Sequence, residues 1–176
     1  DLTRTADVKQ RRIVDGLLAI TKNPDVKPKR IIEYISQRAG LLLPRSEDVF
    51  SFPHRSFQEY LAACHLTDSA FPDDLVSLFL KDPNRWRETV LFAGAKAARG
   101  VAANLWTLAE ALCFERPSVA IASEQGVAAL LAAQLLIEND ALENVAERNV
   151  AKLANIRDWL LAILKQGALE SVDRVS

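Results

Sequence analysis

Only one stretch of this chain has the composition of β-structure, and what surrounds it fixes the kind of fold available. Leu41-Leu42-Leu43 is a short apolar run, and Pro44-Arg45-Ser46-Glu47-Asp48 has the composition of a turn. Val49-Phe50-Ser51-Phe52 then alternates and is rich in strand formers, and Pro53 stops it. One helix pattern leads in and another leads out. Pro28 is suited to open the first, Ile31, Ile35 and Leu42 recur on one side of it, and Gly40 is placed to end it in the left-handed conformation. Ser56 is expected to begin the second. Ser56-Phe57-Gln58-Glu59 reads as a capping box, and Phe57, Tyr60, Leu61 and Cys64 make an inward stripe.

Helix, short hairpin, helix is the order of a winged helix. Upstream, Arg4 to Thr21 has helical spacing, with Val8, Ile13, Leu17 and Ile20 on one side, and Asn23-Pro24 ends it. Downstream everything reads as helix. Pro72-Asp73-Asp74 and Asp82-Pro83 are helix starts. Trp86, Val90, Ala93 and Ala97 follow as an inward face, and Gly100 is a stop. Further helices are expected over about Ala102–Phe114, Ser123–Ile137 and Val145–Lys165, with Gly167 as a cap. Ala128, Ala129, Ala132 and Ala133 permit close helix packing. Val90-Leu91-Phe92-Ala93 and Leu130-Leu131-Ala132-Ala133 are loosely alike, at a spacing seen in helical solenoids. The expected fold is mainly α: a winged-helix segment with one short hairpin over residues 1–68, then a helical bundle or HEAT-like repeats over residues 69–176.

Composition narrows the function. A net charge of -1 argues against a dedicated nucleic-acid binder, which needs a clear positive excess. Cys64 and Cys113 lie among apolar neighbours and read as two reduced, buried thiols of a cytoplasmic protein. The longest apolar stretch, Val119–Ile137, is interrupted by Ser123, Glu124, Gln125 and Gln134, so it reads as a buried helix and not a membrane span. The chain opens on Asp1, contains no methionine and ends soon after a helix stop, so both ends read as cuts in a longer protein.

The segment from Ala39-Gly40-Leu41-Leu42 through Phe50-Ser51-Phe52-Pro53-His54-Arg55-Ser56-Phe57-Gln58-Glu59-Tyr60-Leu61-Ala62-Ala63 resembles the end of the winged-helix domain of NACHT-type STAND ATPases. That class includes animal NOD-like receptors and bacterial defence proteins. The resemblance rests on Phe52, His54, Phe57, Gln58, Glu59, Tyr60, Leu61, Ala62 and Ala63, and covers about residues 31–66. Asp82-Pro83 to Glu88 is similar to the helix that often follows in bacterial members, and Arg157–Leu169 to their helical-repeat tails.

The resemblance implies a nucleotide-binding domain upstream and a sensor array downstream. It also implies that His54 contacts the β-phosphate of ADP in the intact parent and helps hold a closed, inactive arrangement. The local sequence agrees. His54 stands at the mouth of a helix N-terminus, where N–H groups and the dipole favour anions, and Arg55 adds positive charge. Taken alone, such a histidine more often binds a nearby carbonyl.

The sequence holds no Gly-x-x-x-x-Gly-Lys-Ser/Thr, so no phosphate-cradling loop; the expectation is a regulatory segment and not an enzyme, with ATP, ADP and magnesium belonging to the parent. No cofactor or metal is expected in the chain itself, because Cys64 and His65 project about a hundred degrees apart on a helix and converge poorly. Two alternatives stay open. One is a winged-helix DNA-binding regulator using Lys27, Lys29, Arg30 and Arg38, although a near-neutral chain favours reading these as a solvated helix face. The other is a helical scaffold that binds a protein partner or associates with itself through Trp159, Leu160 and Ile163.

Overall fold

A computed structural model describes residues 7–21, 23, 25–69, 71–117 and 121–166. The elements run β1 (Asp7–Lys9), α1 (Gln10–Ile20), α2 (Pro28–Gln37), β2 (Leu43–Ser46), β3 (Val49–Ser51), α3 (Arg55–Asp68), α4 (Asp73–Lys81), α5 (Pro83–Gly100), α6 (Ala102–Leu112), α7 (Ser123–Glu138) and α8 (Glu147–Gln166). The chain divides into two compact units, residues 1–58 and 59–176. The division falls inside α3, whereas the sequence placed it at residue 68, where that helix ends.

In the first unit the sheet is antiparallel with order β1-β3-β2. Its third strand is a correction to the single expected hairpin. Asp7, Val8 and Lys9 pair with Ser51, Phe50 and Val49, so the expected helix from Arg4 starts only at Gln10. Helical spacing at Val8 is real, but pairing with a strand some forty residues away overrides it. The Gln10 N–H then donates to the Asp48 carbonyl at 2.8 Å, which ties the start of α1 to the hairpin turn.

The hairpin is also shifted. Pro44-Arg45-Ser46 belongs to β2 and not to the turn, and the turn is Glu47-Asp48, with Asp48 at φ 60°. Proline is compatible with β2 because β2 is an edge strand, and the register slips between Pro44 and Ser46. The bulge leaves Arg45 as the extra residue, and its Nε donates to Ser51 Oγ at 2.7 Å. That bond satisfies a hydroxyl on a residue only 2% exposed. α2 follows the expected pattern: Pro28 stands in its first turn, Ile32 is buried, and Gly40 takes φ 64° just past its end. The Leu41 N–H returns to the Ile35 carbonyl there, and Leu42 is buried.

The second unit is helical throughout among the described residues. Helix starts fall where the capping chemistry puts them. The Asp82 carboxylate accepts from the Arg85 N–H at 3.2 Å with Pro83 in the first turn of α5, and Asp73 and Asp74 stand at the positive end of α4. Core residues come from six helices: Ala63 (α3), Leu75 and Phe79 (α4), Val90 and Ala93 (α5), Leu105 and Leu108 (α6), Ala128, Ala132 and Leu135 (α7), Ile156 and Trp159 (α8). Small residues set the helix spacing. At Gly94 a Cβ would press on Leu135 Cδ2 inside van der Waals contact, with Leu105 Cδ1 at 3.5 Å.

α8 grips the end of α6 with polar side chains. Asn155 Nδ2 donates to the carbonyls of Cys113 (2.6 Å) and Glu115 (3.2 Å), and Trp159 Nε1 to Glu115 (2.7 Å). Lys152 pairs with Glu110, and Asp158 with Arg116, each at 2.6 Å. The Asn155 and Trp159 donors satisfy the carbonyls of the α6 C-cap, Cys113, and of Glu115 just past it. Trp159 and Ile163 are thus 3% and 4% exposed, which corrects their expected role as a self-association face; the exposed apolar residues of α8 are Val150, Leu161 and Leu164. The expected cap at Gly167 lies outside the described residues. No helix of the described residues is long and apolar enough to cross a membrane.

Candidate functional site

β3 ends at Ser51, and Phe52-Pro53 carries the chain to the mouth of α3. α3 begins at Arg55, one residue earlier than expected, so Ser56 lies inside the first turn and His54 precedes the helix. The His54 carbonyl accepts from the Phe57 N–H at 3.2 Å, which makes His54 the first residue of the helical frame. This order follows from the sequence: proline cannot continue the strand ladder, and the next residues are free to wind into helix.

Both sequence-predicted site residues, His54 and Arg55, are exposed at this end. The His54 ring sits beside Phe57, one turn along, with centroids 6.2 Å apart and planes tilted by 34°. Among the described residues no hydrogen bond engages the His54 ring nitrogens. The first turn of α3 holds no acidic residue. An exposed imidazole, a guanidinium and the positive end of a fourteen-residue helix therefore share one place, an arrangement suited to an anionic oxygen. The hairpin that delivers the chain here is pinned by Arg45 to Ser51, a contact with no signal in the sequence because the bulge creates it.

The apolar stripe expected to be buried is not. Phe57, Tyr60 and Leu61 are 39%, 42% and 44% exposed. Tyr60 meets Phe92 edge-on, with centroids 5.8 Å apart, and Ala63 is the buried residue of α3. The C-terminal end of α3 is closed by Lys96, whose Nζ donates to the Cys64 carbonyl (3.2 Å), Thr67 Oγ1 (2.7 Å) and the Asp68 carboxylate (2.6 Å). The hydrogen bond to Asp68 raises the Lys96 pKa. A cation there also suits the negative end of the helix.

The cysteines are both free thiols. Cys113 is buried, and burial, with the nearby Glu110 carboxylate adding to it, pushes its thiol up to about 12. Cys64 is only half-buried. Among the described residues no three His, Cys, Asp or Glu side chains converge as a metal site would require.

Residues 5–66 match the profile of a family described as the winged helix-turn-helix domain C-terminal to NACHT. No curated protein and no solved structure matches the chain. The matched span covers β1 to the last turn of α3, including the three-stranded sheet, the two helices before the hairpin and His54. Over residues 5–66 the chain is therefore similar to the winged helix-turn-helix domain that stands C-terminal to NACHT.

Proposed function

We propose that this chain is a regulatory segment of a NACHT signalling ATPase, which couples the nucleotide state of an upstream domain to the helical region. The observation that carries the reading is His54. It is exposed at the head of α3, inside the matched family span, with no hydrogen bond on its ring among the described residues. In the parent, His54 donates an imidazole N–H to a phosphate oxygen of ADP held by the upstream domain. The bond is charge-assisted when the ring is protonated, and Arg55 together with the dipole of α3 adds to the attraction. The contact biases the parent toward its closed arrangement only if it is made in that arrangement alone.

α3 runs from Arg55 to Asp68, and Lys96 holds its C-terminal end to α5. Beyond it, α4 packs on α5 and α6, α5 on α6 and α7, and α6 on α7 and α8. α4 also packs on α7, so these helices share one core as a bundle does, and the sensor role is assigned to that bundle. Phosphate cradling, magnesium and hydrolysis belong to the upstream domain in this reading, and the chain alone is not an enzyme.

The test is nucleotide retention by the intact parent. One charge-assisted hydrogen bond is worth about 1.5–3 kcal/mol, so His54→Ala is expected to weaken ADP binding by roughly ten- to a hundredfold. ADP content is read by denaturing the purified protein and chromatographing the released nucleotide. A variant parent that retains ADP as the wild type does would refute the role given to His54.

A further inference from the structure

The near-zero net charge conceals two units of opposite sign. Residues 1–58 hold eleven Lys and Arg against seven Asp and Glu, a net of +4, while residues 59–176 hold eleven against sixteen, a net of -5. A whole-chain charge of -1 is therefore no argument against polyanion binding by the first unit.

Within that unit, α1 and α2 pack on one another and the hairpin follows α2, so α2 holds the place of the second helix in a helix-turn-helix. Ile31, Ile32 and Ile35 lie on its inner side. Its outer side carries Lys29, Arg30, Tyr34 and Arg38, with Lys27 just ahead of the first turn, and all five are exposed. Arg30, Tyr34 and Arg38 are four residues apart and so form one line along the helix. Tyr34 is 60% exposed. No ion pair among the described residues engages these four cations.

Their placement works against the helix itself. Lys27, Lys29 and Arg30 crowd the positive end of the α2 dipole, and the first turn has no acidic residue to offset them. A local rule broken without a compensating contact is a mark of function more than of stability. The acidic groups on or beside this face are Glu33 on the helix and Asp25 ahead of it; Glu47 and Asp48 form the hairpin turn.

We propose that the outer face of α2 binds duplex DNA. α2 lies in the major groove, with Lys27, Lys29, Arg30 and Arg38 on backbone phosphates and the Tyr34 hydroxyl within reach of a phosphate or a base edge. A groove about 12 Å wide admits a helix, whereas the deep, narrow major groove of A-form RNA does not. Four phosphate contacts give a slope of log K against log salt of about -3 to -4. Quadrupling the salt then weakens binding by roughly a hundredfold. This surface is separate from His54, so the proposal stands or falls independently of the nucleotide-coupling reading.

The test is fluorescence anisotropy of a short labelled DNA duplex titrated with the whole 176-residue chain at about 50 and about 200 mM salt. The expected result is binding near micromolar at the lower salt, with the slope above. Lys29→Glu together with Arg30→Glu is expected to weaken binding at least tenfold and to flatten the slope by about two. Far-UV circular dichroism of that variant should be unchanged, because both side chains are exposed. Arg148→Glu, on exposed α8 surface, is the control and should bind as wild type. No anisotropy change at about 100 μM protein overturns the proposal. So does equal affinity for the RNA duplex of the same sequence, or undiminished binding by the double variant.

Discussion

The same substitution should change stability with opposite signs in the two units, because what a new methyl meets differs. Gly16 and Gly94 both stand inside helices, α1 and α5. Replacing a mid-helix glycine by alanine gains about 0.5–1 kcal/mol, since the unfolded chain loses freedom that the helix does not use. At Gly16 nothing lies within 4 Å of the added Cβ, so Gly16→Ala should show that gain undiminished. At Gly94 the Cβ would overlap Leu135 Cδ2, with Leu105 Cδ1 at 3.5 Å. Leu135 is 0% exposed and Leu105 2%, so neither has room to swing away. Overpacking a filled core costs about 1–3 kcal/mol, which exceeds the helix gain and leaves Gly94→Ala destabilised by about 1 kcal/mol. For a chain of this length that lowers Tm by about 2–4 °C. Leu135→Ala alone should cost about 3–4 kcal/mol, for lost burial plus a cavity. The double variant places the new methyl where the leucine was removed, so its cost should fall short of the sum by at least about 1 kcal/mol. Urea denaturation followed at 222 nm measures all four variants. Additivity within about 0.5 kcal/mol, or a stabilised Gly94→Ala, would refute the close approach of α5 to α7.

Three further outcomes follow from the helical unit. In the native chain at pH 8 a thiol reagent should label Cys64 and spare Cys113, which becomes reactive on unfolding in urea; equal labelling rates would contradict the burial of Cys113. The Cys113 thiol titrates at about 12 when folded against an ordinary 9.0, so the folded chain keeps a proton that the unfolded chain releases. That contribution to stability is intact below pH 9, declines as pH rises toward 12, and should vanish in Cys113→Ala, compared by thermal melts across that range. Trp159→Phe removes the indole donor to the Glu115 carbonyl and part of a ring only 3% exposed, so it should cost about 2–3 kcal/mol; a loss under about 0.5 kcal/mol would show that the α6–α8 clamp contributes little.

The legible parts of this fold are those whose cause lies within a few residues. Gly40 past the end of α2 and Asp82-Pro83 at the start of α5 have local chemistry that permits few other conformations, and the structure uses both as expected. The illegible parts need a distant partner. Val8 fits a helix face as well as a strand, and only pairing with Phe50 decides it. Pro44 reads as a turn residue until β2 is known to be an edge strand. Net charge has the same blind spot, since one total averages a basic unit with an acidic one.

Phe57, Tyr60 and Leu61 carry that reasoning one step further. Their spacing is that of a buried face, yet each is more than a third exposed. Three large apolar groups left open along the first turns of a helix are a cost that a free-standing domain has little reason to bear. His54 stands exposed at the head of the same helix. If an upstream domain presents a nucleotide phosphate to His54, its surface also comes within reach of this stripe. The two features then have one cause: a face patterned for burial, whose cover is the domain that holds the nucleotide. On this reading Tyr60→Ala in the intact parent should weaken ADP retention without touching phosphate, as His54→Ala does directly. A Tyr60→Ala parent that keeps its ADP while His54→Ala loses it would separate the two features and leave the apolar stripe unexplained.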